Sequence, residues 1–193
     1  MGELNFRPRR KKRRQQNVNT WELVGTWILQ IAIVCSLAFV FVWFFGQRIS
    51  MIGNSMNPVL KNADTILVNS MVYNLRRPKR GEVIIFYLDG NENAQYYIKR
   101  VIGLPGETIQ IKEGTIYIND KALDEKYAVS ALADAGIAEE KIKLEDNEFF
   151  VLGDNRAESR DSRNESIGNV KISEISGKAW FVVSPKSSFG FVK

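Results

Sequence analysis

The apolar positions of this chain fall into two regimes. From Leu23 to Gln47 no charge interrupts a 25-residue run rich in Leu, Ile, Val, Phe and Trp. As a helix it would be about 37 Å long, enough to cross a hydrocarbon core of roughly 30 Å with some tilt. Trp21 and Trp27 near one end and Trp43 near the other suit the two interfaces. A cleaved signal peptide is the alternative, but its apolar region is usually about 7–15 residues, and neither flank resembles a cleavage site. The run predicts a membrane anchor over 23–47.

After Pro58 the pattern changes to short runs rich in β-branched and aromatic residues, separated by turn signals. Strands are predicted over Thr65–Val72, Glu82–Leu88, Tyr96–Ile102, Thr108–Lys112, Thr115–Asn119, Glu148–Leu152 and Lys178–Val183. Lys112-Glu113-Gly114 reads as a tight hairpin turn. So many short strands without a long amphipathic helix predict a mainly β, antiparallel domain over 48–193. Ala122–Asp146 fits neither period, so a small insertion at about 120–147 is expected, as a short helix or a mobile segment.

Charge adds a topology. Seven basic residues against Glu3 and Glu22 in 1–22 account for the net charge of +5, and 48–193 is neutral with twenty of each sign. Arg9–Arg14 could contact nucleic acid, but its place directly before the apolar run favours a topogenic role. A cytoplasmic basic terminus over 1–22 and an extracytoplasmic β domain at the cell membrane follow, with no nucleic-acid partner expected.

The chain has no histidine, and its one cysteine, Cys35, lies within the apolar run. These counts exclude histidine-based triads and dyads, histidine and thiolate metal sites and an internal disulfide. A hydrolase built from this composition needs lysine or a carboxylate as its base. Ser55, in Gly53-Asn54-Ser55-Met56-Asn57-Pro58, is either an ordinary turn serine or a nucleophile held seven residues after Arg48, within about 25 Å of the membrane. Lys99 lies in a predicted strand whose alternation puts Tyr97, Lys99 and Val101 on one face. It is either an edge-strand lysine in water or a desolvated amine able to take a hydroxyl proton. Gly153–Arg163 crowds polar side chains behind an apolar strand. Its Asp154 and Asp161 allow local ion pairs, a carboxylate pair or a weak metal signal.

Four segments then acquire a common meaning. Ser55-Met56-Asn57-Pro58, Arg80–Phe86, Lys99–Glu107 and Gly153–Arg163 resemble, in order and after an N-terminal anchor, the sequence boxes of bacterial type I signal peptidases. The resemblance implies a Ser/Lys serine endopeptidase of the signal peptidase fold that removes signal peptides after an Ala-X-Ala-like pattern, without metal or other cofactor. It implies Ser55 as nucleophile, Lys99 as general base and Ser159 as the hydroxyl that orients the lysine. Gly53 and Met56 would lie beside the oxyanion and substrate, and Arg100–Asp154 and Asp161–Arg163 would form structural ion pairs. Gly53 departs from the enterobacterial branch, where a serine hydroxyl stands, and resembles the Gram-positive branch. Secreted preproteins, the bilayer and the export translocon are the implied partners. Two other classes compete: a non-catalytic relative assisting surface-protein assembly, and a self-cleaving Ser/Lys repressor-type protein. The intact serine and lysine disfavour the first, and the membrane anchor in place of a DNA-binding domain disfavours the second.

Overall fold

The computed structural model describes residues 20–45, 47–91, 95–127, 129–185 and 189–192. The basic run Arg9–Arg14 lies outside the described residues. Two units separate, residues 1–40 and 41–193. Helix α1 (Thr20–Phe45) runs past that boundary, and its part within the first unit, Thr20–Val40, is apolar and long enough to cross a membrane. Its large side chains, from Trp21 (82% exposed) to Val42 (65%), are uncovered on every side, as a helix solvated by lipid requires. The expected anchor extended to Gln47. The helix stops at Phe45 because Gln47 pairs with Val68 and opens the first strand.

The second unit is built from β1 (Gln47–Ser50), β2 (Thr65–Asn69), a short α2 (Val72–Leu75), β3 (Val83–Tyr87), β4 (Tyr96–Gly103), β5 (Thr108–Lys112), β6 (Thr115–Ile118), β7 (Lys121–Ala122), β8 (Ile142–Lys143), β9 (Glu148–Leu152), β10 (Val170–Lys171), β11 (Ile175–Ser184) and β12 (Gly190–Phe191). One sheet runs β1-β2-β11-β3-β4-β9-β10, with β12 added to β11, and a second runs β7-β6-β5-β8. Every recorded strand pair is antiparallel, so the described residues form the mainly β, antiparallel domain expected.

Burial follows from sequence period. Val83-Ile84-Ile85-Phe86 has no polar alternation, and β3 is buried on both faces. Val83 and Ile85 enter one core with Met51, Met56, Leu60, Ile66 and Ile98, while Ile84 and Phe86 enter another with Val101, Phe149 and Val151. A third core lies on the small sheet, where β9 contributes Phe150 and Leu152. β9 therefore joins two cores and fixes the start of the Gly153–Arg163 loop. The Glu113-Gly114 turn has φ of 48° and 74°, the double left-handed geometry that suits a two-residue hairpin.

Two expectations change. The strand predicted to Val72 ends at Asn69, whose Oδ1 accepts from the backbone N–H groups of Met71 (3.1 Å) and Val72 (3.0 Å) and turns the chain into α2. The 120–147 segment contains no α-helix among its described residues. It adds β7 and β8 to the small sheet and a 3₁₀ turn at Gly136–Glu139.

Candidate active site

Ser55 sits in the loop between β1 and β2, and apolar side chains tie that loop down. Met51, Met56 and Leu60 are buried in the core, and Met51 exchanges backbone hydrogen bonds with Asp64 (2.7 Å) and Ala63 (2.9 Å). Met56 is fully buried in the core beneath the loop and is not among the residues that line the groove. Gly53 has φ +83°, and its N–H donates to Asn62 Oδ1 at 2.9 Å. A Cβ there would meet open space, but the left-handed backbone would strain a serine.

Lys99 stands in β4 opposite Ile84 of β3, one residue before Arg100 pairs with Leu152 of β9. Only 4% of it is exposed, and its Nζ donates to Ser55 Oγ at 2.7 Å. Burial brings its pKa down to about 8; Asp161 and Asp154 pull it back up, and Arg163 pushes it down.

The polar block around this contact is internally compensated. Arg100 is fully buried and grips Asp154 with two bonds of 2.7 and 2.6 Å. Arg163 grips Asp161 at 2.8 and 3.0 Å, and Asp161 also accepts from the Gly153 N–H at 3.0 Å. A third pair joins buried Arg156 to Glu125. Among the described residues, Lys99 is the buried cation with no carboxylate partner. Burial therefore makes loss of its proton easier than for an ordinary lysine.

The loop after β9 also holds the Ser55 backbone. Asn155 N–H donates to Ser55 O at 3.1 Å, and its side-chain amide to Asn54 O at 3.2 Å. Gly153 leaves no room for a side chain, since a Cβ would lie 2.1 Å from Ser159 Oγ and 2.4 Å from Ser55 O. Ser159 Oγ is buried and has no hydrogen-bond partner. The expected Ser159–Lys99 hydrogen bond is not made, and the Lys99 amine donates to Ser55. Thus Ser55 and Lys99 meet, the two expected ion pairs are made, and Ser159 lies against Gly153 without a bond.

Sequence reading missed Asn155, Glu125, Tyr127 and Ser130. Tyr127 covers the Arg100 guanidinium at 4.1 Å, and Ser130 Oγ accepts from Arg156 N–H at 2.7 Å. Asn155 could have been suspected from its place in the polar block. Glu125, Tyr127 and Ser130 act across the fold, and nothing local in their sequence marks them.

A groove of about 230 Å³ opens onto the pair, lined by Met51–Ser55, Gln95–Lys99, Glu158 and Arg160. A mainly β domain with a serine in such a groove, following an apolar helix, has the makings of a membrane-anchored serine hydrolase. The family model for signal peptidase, peptidase S26, matches residues 24–184. Signal peptidase I of Bacillus licheniformis is 33% identical over 178 residues, covering 89% of this chain and 94% of that protein. Signal peptidase I T of Bacillus subtilis is 35% identical over 170 residues, covering 82% and 84%. A crystal structure of a signal peptidase I from Enterococcus faecalis is 32% identical and spans 53% of this chain and 97% of that one, with a TM-score of 0.42. The chain belongs to the signal peptidase family as a bacterial type I signal peptidase, a serine peptidase acting on preproteins that carry signal peptides.

Proposed function

We propose that this peptidase cuts after an Ala-X-Ala-like site with Ser55 as nucleophile and Lys99 as general base. The observation that carries the reading is the 2.7 Å contact between the Ser55 hydroxyl and an amine that burial holds near neutrality. With Lys99 unprotonated, the hydroxyl becomes the donor in this contact. Ser55 Oγ bonds to the scissile carbonyl carbon while its proton passes to Nζ. The resulting oxyanion faces the Ser55 backbone N–H, which has no acceptor among the described residues. Lys99 then gives its proton to the leaving amine, and the C–N bond breaks. Water resolves the acyl ester, losing its proton to the same amine.

The substrate path follows from strand pairing. β3 covers one edge of β4 along Tyr96–Arg100, but β9 covers the other only from Arg100 onward. The edge at Gln95–Lys99 is left facing the groove, where Met51–Asn54 forms the second wall. An extended signal-peptide segment fits there as an added strand, with small uncharged residues against Met51, Ile52 and Ile98. Asp154 with Arg100 and Asp161 with Arg163 keep the loop shape. Ser159 is proposed to orient Lys99 during turnover, supported by its buried, unpartnered hydroxyl. The basic run before the anchor supports a cytoplasmic N-terminus and an external β domain, with bilayer and translocon as neighbours.

Ser55→Ala and Lys99→Ala are each expected to abolish processing of a preprotein bearing an Ala-X-Ala site, and the double variant to be no worse than either. Gel assay with N-terminal sequencing of the product checks this. Residual cleavage well above background in either single variant would overturn the dyad.

A further inference from the structure

Besides Lys99, the groove carries two charged side chains at its rim, Glu158 and Arg160. Both are exposed, and neither forms an ion pair among the described residues. Their settings differ. Glu158 Oε2 accepts from the Asn155 side-chain amide at 3.2 Å, the same amide that reaches Asn54 O. Arg160 has a single neutral partner, Ser166 Oγ at 2.9 Å, which leaves most of its donors unused. A guanidinium presents five donors in a rigid fork, so Arg160 has donors free for a carboxylate, and none among the described residues takes them.

Geometry decides which part of the substrate meets it. A strand added to β4 can use only the edge before Arg100, because β9 occupies that edge beyond. Where β9 ends, the chain becomes the loop that presents Glu158 and Arg160, so a substrate passing Lys99 is turned from the sheet onto this rim. The wall that carries Met51, Ile52 and Ile98 suits the small uncharged residues of the signal peptide. We propose that Arg160 is a specificity residue for the leaving side of the cleavage site, selecting preproteins with an acidic side chain among the first residues of the mature protein. This rests on the substrate path given under the proposed function.

The test uses the full-length enzyme in detergent and three peptides that share one Ala-X-Ala site. They carry Asp, Ala or Lys in turn at the first, second or third mature position. Wild type should favour Asp over Lys in kcat/KM by several-fold at one position, in the range of an exposed charge pair. That ratio should shrink as salt rises from 0.05 to about 0.5 M. Arg160→Glu should invert the order, Arg160→Gln should flatten it, and Glu158→Gln should sharpen the preference for Asp. A fold defect alone would lower all three rates together and leave their ratio unchanged. If the peptides are cut but the ratio in Arg160→Glu equals that of wild type, the inference is overturned while the proposed function stands. If wild type cuts none of them, including the Ala peptide, the proposed function fails and takes this inference with it.

Discussion

Burial of an amine without a carboxylate partner disfavours its charged form, and Lys99 is held in that condition at 4% exposure. Its pKa falls from the ordinary 10.5 to about 8. For catalysis the sign is simple: the base must be neutral, so kcat/KM should rise along an acid limb with its midpoint near pH 8. For stability the unfolded chain binds the extra proton between pH 8 and 10.5. The penalty is therefore full below pH 8 and disappears as pH rises to 10.5. It is on the order of 3 kcal/mol. Lys99→Met should be inactive yet more stable at pH 7. After allowing for the lost Ser55 hydrogen bond, its Tm should rise by roughly 4–8 °C, and the gain should shrink toward pH 10.5. Thermal unfolding at the two pH values checks this. A lower Tm for Lys99→Met at pH 7, or a rate that stays flat from pH 6 to 9, would mean that Lys99 is not held as a desolvated base.

At the scale of elements, the segment between β7 and β9 brackets the Gly153–Arg163 loop. Glu125 pairs with Arg156, Tyr127 lies over Arg100, Ser130 N–H donates to Asp154 O at 3.0 Å, and Asp134 O accepts from Arg163 at 2.8 Å. Arg156 is 1% exposed and Glu125 16%, so Glu125→Ala strands a buried guanidinium and should cost about 3–5 kcal/mol of stability. The surface pair Lys141–Asp120, at 52% and 72% exposure, is the control, and Lys141→Ala should change nothing measurable. Denaturant titration of the two variants separates them, and equal midpoints would mean that the bracket carries no energy. This segment also marks the limit of what was legible. The strands were readable because Val83–Phe86 and Glu148–Leu152 are apolar runs with turn signals beside them, and the site because Lys99 and Gly153–Arg163 are polar groups set beside such runs. Glu125, Tyr127, Ser130 and Asp134 follow no period because their polar partners are Arg100, Asp154, Arg156 and Arg163. The early stop of β2 was missed for a smaller reason: the amide of Asn69 competes with the ladder, and Ser70-Met71-Val72 carries no glycine or proline to announce it.

For the whole molecule, the junction between anchor and β unit determines which truncation is informative. β1 starts at Gln47 and pairs with β2 along its entire length, Gln47↔Val68 to Ser50↔Thr65. A chain beginning at Gly46 keeps this strand. One beginning at Met51 loses it and bares the β2 edge directly before the loop that holds Ser55. The first should fold and cut short peptides at the full-length rate, since every described group of the groove and polar block lies beyond residue 46. On preproteins inserted in vesicles it should be slower by two orders of magnitude or more, because α1 replaces a three-dimensional search by an encounter within one surface. The Met51 chain should lose activity on both substrates and aggregate. Parallel assays on a soluble peptide and a vesicle-inserted preprotein, at one low enzyme concentration, distinguish these cases. Equal preprotein processing by the Gly46 chain and the full-length enzyme would remove the positional role of the anchor. Full peptide activity in the Met51 chain would show that β1 is not needed to hold the Ser55 loop.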